Sequence, residues 1–406
     1  RVFHQQGVKG VILQKMARGR IFSLGLILVV GLAAAFQPAS LFPHQRNAFA
    51  VKLAINSAAT GSEFEVKKEA LKQCLKREYL SFFAPFEKEF YVPNVRFIDP
   101  LNSLEGADKY QGNVDMLGAR TALGSFLFRD ASINLHSIED TGDRELLTRW
   151  TLKVCFKALP WQPVARFTGV SKYQLDADCL VVQQNDYWDS INLRDGQYRE
   201  VSKLEGVLDF VGQLGEEATA ASAMGTELPF ELLRRAKGYE VRRYPAYRAC
   251  FTPYETRPEG YDRLGSYAGG ENESRERLKP LVPSLQTVSK DGENKIMEWP
   301  LQFLMPFEKS LAEKPAPPAA GSERVGFKEV PSRTFAIKSF DSPTTADYVR
   351  YWDAELRKVL EADGLVASPE ADTDFLLAQY DAIFSIAKRR NEVWIPLASH
   401  DWEGSC

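Results

Sequence analysis

At 406 residues the chain has material for two or three domains, and 44 % hydrophobic with 26 % charged residues is the balance of ordinary globular protein. A formal charge of −3 gives no electrostatic footprint for nucleic acid, and no nucleic-acid motif is visible. Cysteines at 74, 155, 179, 250 and 406 form no CxxC pair and are odd in number, which excludes a disulfide scaffold and a cysteine zinc site; free thiols, and a mature life outside an oxidising compartment, are expected.

Residues 1–62 contain no acid but seven cations. Within them Ile21 to Ala35, IFSLGLILVVGLAAA, follows MARGR as an apolar run of fifteen. A membrane span needs about 20 apolar residues, so the run fits a signal-peptide core, with Ala33, Ala34 and Ala35 as the small residues of a cleavage site. The stretch from Phe36 onward stays basic, Ser/Ala-rich and acid-free, like a transit peptide. Together they resemble the bipartite plastid presequence of algae with secondary plastids; the alternative is a plain secretory signal or a short anchor. Met16 directly precedes the basic stretch, so residues 1–15 are expected to be leader or fragment sequence. The expectation is therefore cleavage near Phe36 and again near residue 60, a plastid location, and no stable transmembrane anchor after processing. Loss of this tract moves the formal charge from −3 to −10.

Glu63 to Leu214 reads as an α+β domain. Leu71, Leu75, Tyr79 and Phe82/Phe83 recur at helical intervals in Glu63–Phe90, with Pro85 as a break. Val95–Ile98 is a short strand, and Gly112–Phe128 carries a second helical stripe through Val114, Leu117 and Thr121. From Leu146 to Lys157, Leu146, Thr148, Trp150, Leu152, Val154 and Phe156 alternate with mostly polar residues, the pattern of a strand with one buried face. Ala165–Leu175 and Cys179–Trp188 continue the sheet around an Asp176-Ala177-Asp178 turn. Helices followed by an antiparallel meander imply a curved sheet folded around helices. With VRFIDP at 95–100, RFTGVSKYQLD at 166–176 and DYWDS at 186–190, the segment resembles the nuclear-transport-factor-2-like, or ketosteroid-isomerase-like, cone. The resemblance implies a pocket on the concave face, in which some members use a buried Asp or Tyr as general base. Asp99, Asp186, Tyr187 and Asp189 are the candidates here; as turn and strand-end residues they are equally ordinary structural positions.

Residues 215–230, mostly small and polar, read as a linker. Beyond it, Tyr239–Tyr254 is strand-like with Pro245 as an interruption, Tyr261–Tyr267 is a short helix, and Gln286–Val288 and Ile296–Met305 are strands around a Lys290-Asp291-Gly292 turn. Ala312–Ser322 is a Pro/Ala loop. Ser342–Thr345 caps a helix to Asp363, with Val349, Trp352, Leu356, Val359 and Leu360 on one face and Gly364 as its stop. A second helix is expected from Asp372, and Arg389-Arg390-Asn391-Glu392-Val393-Trp394 returns as a strand. That last strand places charge where a buried strand tolerates it only if it turns a corner or pairs.

YEVRRYPAY at 239–247, VGFKEVPSRTFAIKSF at 325–340 and the closing RRNEVW resemble, in that order, the SOUL/haem-binding protein family over 231–400, as in plastid members of plants and algae. The resemblance implies an eight-stranded distorted barrel with two flanking helices, and a haem or other tetrapyrrole held non-covalently in a surface cleft beside the first helix. Carried over residue by residue, Leu264, Leu278 and Leu281 would contact the macrocycle and Tyr267 would lie along its face or edge. Arg263, Arg277 and Lys279, with Arg275 nearby, would pair with propionates. The plainer reading makes the leucines core and the cations a solvated face. The family often has Met-Thr-x-Pro-Val where this chain has Leu278–Pro283, and Pro-Pro where it has Ala382-Ile383. Past the presequence only His136 and His400 remain, so no histidine axial ligand is expected. No metal cluster, catalytic triad or phosphate loop is seen in the sequence.

The resulting expectation is a plastid tetrapyrrole carrier or buffer, not an enzyme, with protein partners in tetrapyrrole metabolism. The alternatives are a small-molecule isomerase or hydrolase working in the cone pocket, and a two-domain protein-binding scaffold.

Overall fold

The computed structural model describes residues 61–214, 226–289, 295–300, 324–372, 374–380 and 389–398. The expected targeting tract through residue 60, most of the expected linker (215–225), the turn at 290–292, the loop at 312–322, positions 382–383, His400 and Cys406 lie outside them. No helix among the described residues is long and apolar enough to cross a membrane.

The first domain begins with α1, Gly61–Leu80, whose Leu71, Leu75 and Tyr79 line one buried stripe at intervals of four. It ends where Phe82 and Phe83 take positive φ, so no second helix reaches Phe90 beyond a single 3-10 turn. Then follow β1 (Tyr91–Ile98), β2 (Ser103–Glu105), α2 (Ala107–Leu117) and α3 (Ala122–Leu127). The single helix expected over Gly112–Phe128 is thus two, because the Thr121 side chain accepts the Gly124 amide at 3.0 Å and starts a new helix. The long strands β3 (Phe128–Gly142), β4 (Glu145–Phe156), β5 (Val164–Leu175) and β6 (Val181–Trp188) complete a sheet ordered β2-β1-β6-β5-β4-β3. Its pairs are antiparallel except β1 with β6. After the short α4 (Asp189–Asn192) and the β7–β8 hairpin (Leu193–Arg194, Gln197–Tyr198), α5 (Lys203–Gly212) starts with a Ser202/Glu205 capping box. Gly206 lets α5 lie close to Pro100; a Cβ there would sit 2.5 Å from the Pro100 carbonyl. The curved sheet and its helices enclose one apolar core that includes Trp150, Phe167, Tyr110 and Phe210.

On β4 the expected inner face is buried or half-buried throughout. The outer face is not simply solvent-facing: Arg149, Thr151 and Cys155 are buried as well. Arg149 is held by Asp189 and Tyr198 and Cys155 by Arg129 and the Gln162 carbonyl, while the cover over Thr151 is β9, Glu231–Ala236, the first strand of the second domain, which packs across β4 and β5. Thr151 donates to the Leu232 carbonyl at 2.5 Å, and the Arg235 amide donates to Thr168 at 2.7 Å. His136 completes the seam, with Nε2 2.8 Å from Thr151 and Nδ1 3.2 Å from Glu231. The two domains therefore meet over a polar, hydrogen-bonded face. Residues 226–228, expected as linker, already belong to the second domain: the Leu228 amide donates to the Val282 carbonyl at 2.7 Å and the Val282 amide to Thr226 at 3.0 Å.

The second domain is a curled, wholly antiparallel sheet with two helices. Its strands are β9, β10 (Tyr239–Tyr244), β11 (Tyr247–Pro253), β12 (Ser284–Ser289), β13 (Ile296–Pro300), β14 (Gly326–Val330), β15 (Arg333–Phe340), β16 (Asp374–Gln379) and β17 (Asn391–Pro396). They run β14-β11-β13-β12-β16-β17-β15-β10-β9, a half-barrel of nine strands where a distorted barrel of eight is expected. Two helices, α6 (Arg257–Ala268) and α7 (Ala346–Ala362), flank it as expected. The helix expected from Asp372 is instead one 3-10 turn and then β16. Phe375 and Leu377 there enter the core over α7, while β12 and β17 take up the backbone.

The charge in the RRNEVW strand is resolved by pairing. Glu392 is fully enclosed and accepts hydrogen bonds from Arg242 (3.1 and 3.2 Å), Arg390 (2.9 Å), the Tyr380 hydroxyl (2.8 Å) and the Trp394 indole (2.8 Å). Arg390 lies 3.8 Å from the Tyr380 ring centroid and also reaches Glu227, while Trp394 stacks on Tyr244 at 4.5 Å. Burial alone would raise the Glu392 carboxyl. The two guanidiniums and the hydroxyl and indole donors outweigh it and hold the group below the ordinary carboxylate range.

Candidate functional site

Helix α6 begins with Pro258 in its first turn, a position that needs no amide donor. It buries Gly260, Leu264, Tyr267 and Ala268 against β11 and β13. Leu264 and Tyr267 meet Cys250 and Met297 in a small cluster, with Leu278 half-buried at its edge and the Phe327 ring 5.3 Å from that of Tyr267. Burial drives the Tyr267 phenol upward. Beyond α6 the chain folds back over it. The Leu278 amide donates to Ala268 at 2.9 Å, and Asn272 bridges the Tyr267 (3.0 Å) and Glu276 (2.6 Å) carbonyls. Gly270, at φ 110°, makes the reversal that a side chain would strain. This clasp carries Arg275, Arg277 and Lys279 exposed to solvent, alternating with exposed Glu271, Glu273 and Glu276.

Of the seven residues expected at the ligand, the structure thus brings Leu264, Tyr267 and Leu278 into one cluster, with Arg277 and Lys279 flanking Leu278 in the chain. Leu281 is elsewhere, in the core built on Tyr244, Phe335 and Trp394. The Arg263 guanidinium is engaged by Glu259 and by the Pro253 carbonyl at 2.7 Å. Sequence reasoning missed the polar side of α6. There the Tyr261 hydroxyl meets Ser284 at 2.6 Å and Gln379 at 3.3 Å, and Gln286 donates to Gln379 at 2.5 Å. Gln286 and Gln379 are both buried on neighbouring strands, and two polar side chains inside an apolar run were the available signal.

The cone holds a cavity of about 110 Å³, bounded by α1, α2, α5 and the concave face of the sheet. Asp99 and Asp186 line it; Tyr187 does not, since alternation along β6 sends it to the other face, nor does Asp189, the first residue of α4. Asp189 accepts Arg149 at 3.0 Å, Thr168 at 2.7 Å and Tyr198 at 2.5 Å. Inside the cavity, Tyr110 donates to Gln184 at 3.1 Å and Gln184 donates to Asp186 at 2.9 Å. Ser171 accepts Trp150 Nε1 at 2.8 Å and the Tyr79 hydroxyl at 3.2 Å, and stands opposite Asp186 across the strands. Burial nevertheless pushes the Asp186 carboxyl up to about 7, with Asp99 adding to the rise.

Glu78, on α1 behind this cavity, is likewise pushed up to about 7 by burial, against hydrogen bonds from the Tyr91 hydroxyl (2.6 Å) and the Glu87 amide (2.8 Å). A carboxyl that keeps its proton longer when folded contributes stability that is complete below its unfolded value and is lost as pH rises through its folded value. For Glu78, from 4.5 to about 7, this is worth about 3 kcal/mol. The melting temperature is therefore expected to fall between pH 5 and 8, and Glu78→Gln to flatten part of that fall in a pH series of thermal melts. An unchanged slope in the variant contradicts the assignment.

Residues 226–396 match the model of a family described as SOUL heme-binding protein, and residues 69–184 match one described as Uncharacterized conserved protein (DUF2358). No curated protein matches the chain. Similar solved structures include the epoxide hydrolase/cyclase-like enzyme SalBIII of salinomycin pyran ring formation, at 11 % identity over 30 % of this chain and 91 % of its own, TM-score 0.25. An NTF2-like protein of unknown function from Burkholderia pseudomallei matches at 14 % over 29 % and 89 %, TM-score 0.24. Another from Exiguobacterium matches at 17 % over 29 % and 98 %, TM-score 0.22. Likeness at that level says nothing of activity. By the family match, the half-barrel with its α6 clasp, residues 226–396, is a SOUL domain, standing behind a cone-shaped domain whose family is itself uncharacterized.

Proposed function

We propose that this protein binds haem or a related tetrapyrrole, carrying or buffering it in a plastid without performing chemistry on it. The SOUL match over 226–396 carries the reading. The macrocycle lies over half-buried Leu278 at the end of α6, with Leu264 and Tyr267 as the apolar floor beneath and Arg277 and Lys279 beside the propionates. The chain's residues fit the apolar faces and the carboxylates of the ligand better than its iron. Among the described residues the one histidine, His136, lies in the domain seam, paired with Thr151 and Glu231, and Cys250 and Tyr267 are both buried. Because the clasp holds three acids among its three cations, propionate pairing orients the ligand more than it tightens it, at about 1 kcal/mol or less for exposed pairs. The plastid location rests on the acid-free tract before residue 63.

Titration of the full chain with haemin, followed by the Soret band, is expected to saturate at one equivalent. Leu278→Asp is expected to weaken binding at least tenfold, since it sets a carboxylate against an apolar ring. Haemin binding that is absent, or equal in the variant, would reject this site.

A further inference from the structure

The way the clasp distributes charge narrows the class of ring that the SOUL surface takes. Resting on the tetrapyrrole reading above, we propose that the site accepts rings whose carboxylates lie together on one edge and rejects rings that carry them around the whole perimeter. The clasp has a chemical direction. Asn272 is buried; its Nδ2 donates to the Tyr267 and Glu276 carbonyls at 3.0 and 2.6 Å, and its Oδ1 accepts the Glu276 amide at 3.0 Å. It thereby draws together the stretch that carries Glu271, Glu273 and Glu276, all exposed. Acids and cations interleave at Arg275 and Glu276, but the two ends differ. Glu271 and Glu273 lead, whereas exposed Arg277 and Lys279 close, on either side of half-buried Leu278.

Helix α6 acts in the same sense. It ends beneath the clasp, where the Gly265, Ser266 and Tyr267 carbonyls accept the amides of Gly269, Glu271 and Gly270 at 2.7, 2.9 and 3.2 Å. The C-terminal end of a helix is the negative end of its dipole and disfavours anions. Arg263 does not offset it, because that guanidinium is turned to Glu259 and the Pro253 carbonyl. Arg275 can balance one of the three acids. Glu276 stands two residues from Leu278, within about 7 Å of chain, so a macrocycle seated on Leu278 reaches both ends. Two carboxylates on one edge then meet Arg277 and Lys279. Carboxylates on the opposite edge meet Glu271, Glu273, Glu276 and the helix terminus, and each is repelled.

The test titrates the full chain with protoporphyrin, whose two propionates are neighbours, and with coproporphyrin, which bears four around the ring, following porphyrin fluorescence. Coproporphyrin is expected to bind at least about tenfold more weakly. Raising the salt to about 0.5 M should narrow the gap, because exposed charges are then screened. Coproporphyrin is also the less apolar ring, and the combined variant Glu271→Gln, Glu273→Gln, Glu276→Gln separates that contribution. It should strengthen coproporphyrin more than protoporphyrin and close the gap by about fivefold. Equal binding of the two rings, or a gap unchanged by salt and in the triple variant, would overturn this proposal alone. Binding of neither ring would overturn it together with the tetrapyrrole reading.

Discussion

Glu392→Ala is expected to destabilise the SOUL domain by about 3–5 kcal/mol, the range for removing one partner of a buried ion pair. The carboxylate is fully enclosed and is the common acceptor for Arg242, Arg390, Tyr380 and Trp394. Alanine would leave Arg242, itself buried, without the bidentate carboxylate on its Nη atoms, keeping Glu240 on its Nε and the Tyr244 hydroxyl at 3.3 Å, and would remove the Glu392 acceptor from the Trp394 indole and the Tyr380 hydroxyl. Replacing the pair together, Arg242→Met with Glu392→Leu, should recover much of the loss, because no charge is then left unpaired. The pH dependence follows from the lowered carboxyl: its contribution is present above the unfolded value and lost as pH falls through the folded one. Urea unfolding followed by tryptophan fluorescence reads these effects. A loss below about 1 kcal/mol for Glu392→Ala would mean that the hub is not the domain's electrostatic centre.

The second large effect is expected at the seam. Asp189 is completely buried on the outer face of the cone, among Arg149, Thr168 and Tyr198, and Arg234 of β9 acts on it across the domain boundary. Burial would raise its carboxyl, and the two arginines hold it low instead. Asp189→Ala leaves Arg149 buried without its carboxylate, again at about 3–5 kcal/mol. The loss should fall on the contact between domains, because the same face carries the Thr151 and Thr168 bonds to β9. Faster limited proteolysis within 215–225 should therefore accompany a lower melting temperature. A variant that melts lower but is cut no faster would place the role of Asp189 within the cone alone.

These two sites mark where sequence was and was not enough. The RRNEVW strand announced charge that a buried strand tolerates only by turning a corner or pairing, and it pairs; that Arg242 of β10 does so, from far away in the chain, and Tyr380 after β16 could not be read from the strand itself. Arg149, Thr151 and Asp189 gave no such sign. Alternation along β4 predicts one buried face, and a polar face buried by another domain looks the same as one facing water. Asp374–Gln379 read as helix because a short apolar run fits either period, and only its neighbours β12 and β17 decide. At α6 the sequence identified a helix over 261–267, and the family resemblance put Leu264, Tyr267, Leu278 and Leu281 at one ligand; the structure clusters the first three and sends Leu281 to another core. The sequence did not separate a leucine facing the sheet from one facing a ligand, since a helix of three turns shows the same spacing for both. Asp99 and Asp186 were legible as cone-pocket candidates, whereas Tyr187 was placed with them because a strand's two faces are interleaved, and Asp189 because the sequence did not show that the strand ends at Trp188 and turns into α4.

The most direct measurement is a paired titration of the full chain with haemin and with metal-free protoporphyrin. If the SOUL surface holds the ring by burial of apolar area, at roughly 25 cal/mol per Å² before association costs, both ligands gain the same term. With no imidazole beside α6 among the described residues and with Cys250 and Tyr267 enclosed, iron adds little. The two dissociation constants are then expected to agree within about tenfold, with His400→Ala altering neither. Haemin binding a hundredfold tighter than the free base, or a Soret band that shifts in His400→Ala, would contradict the account.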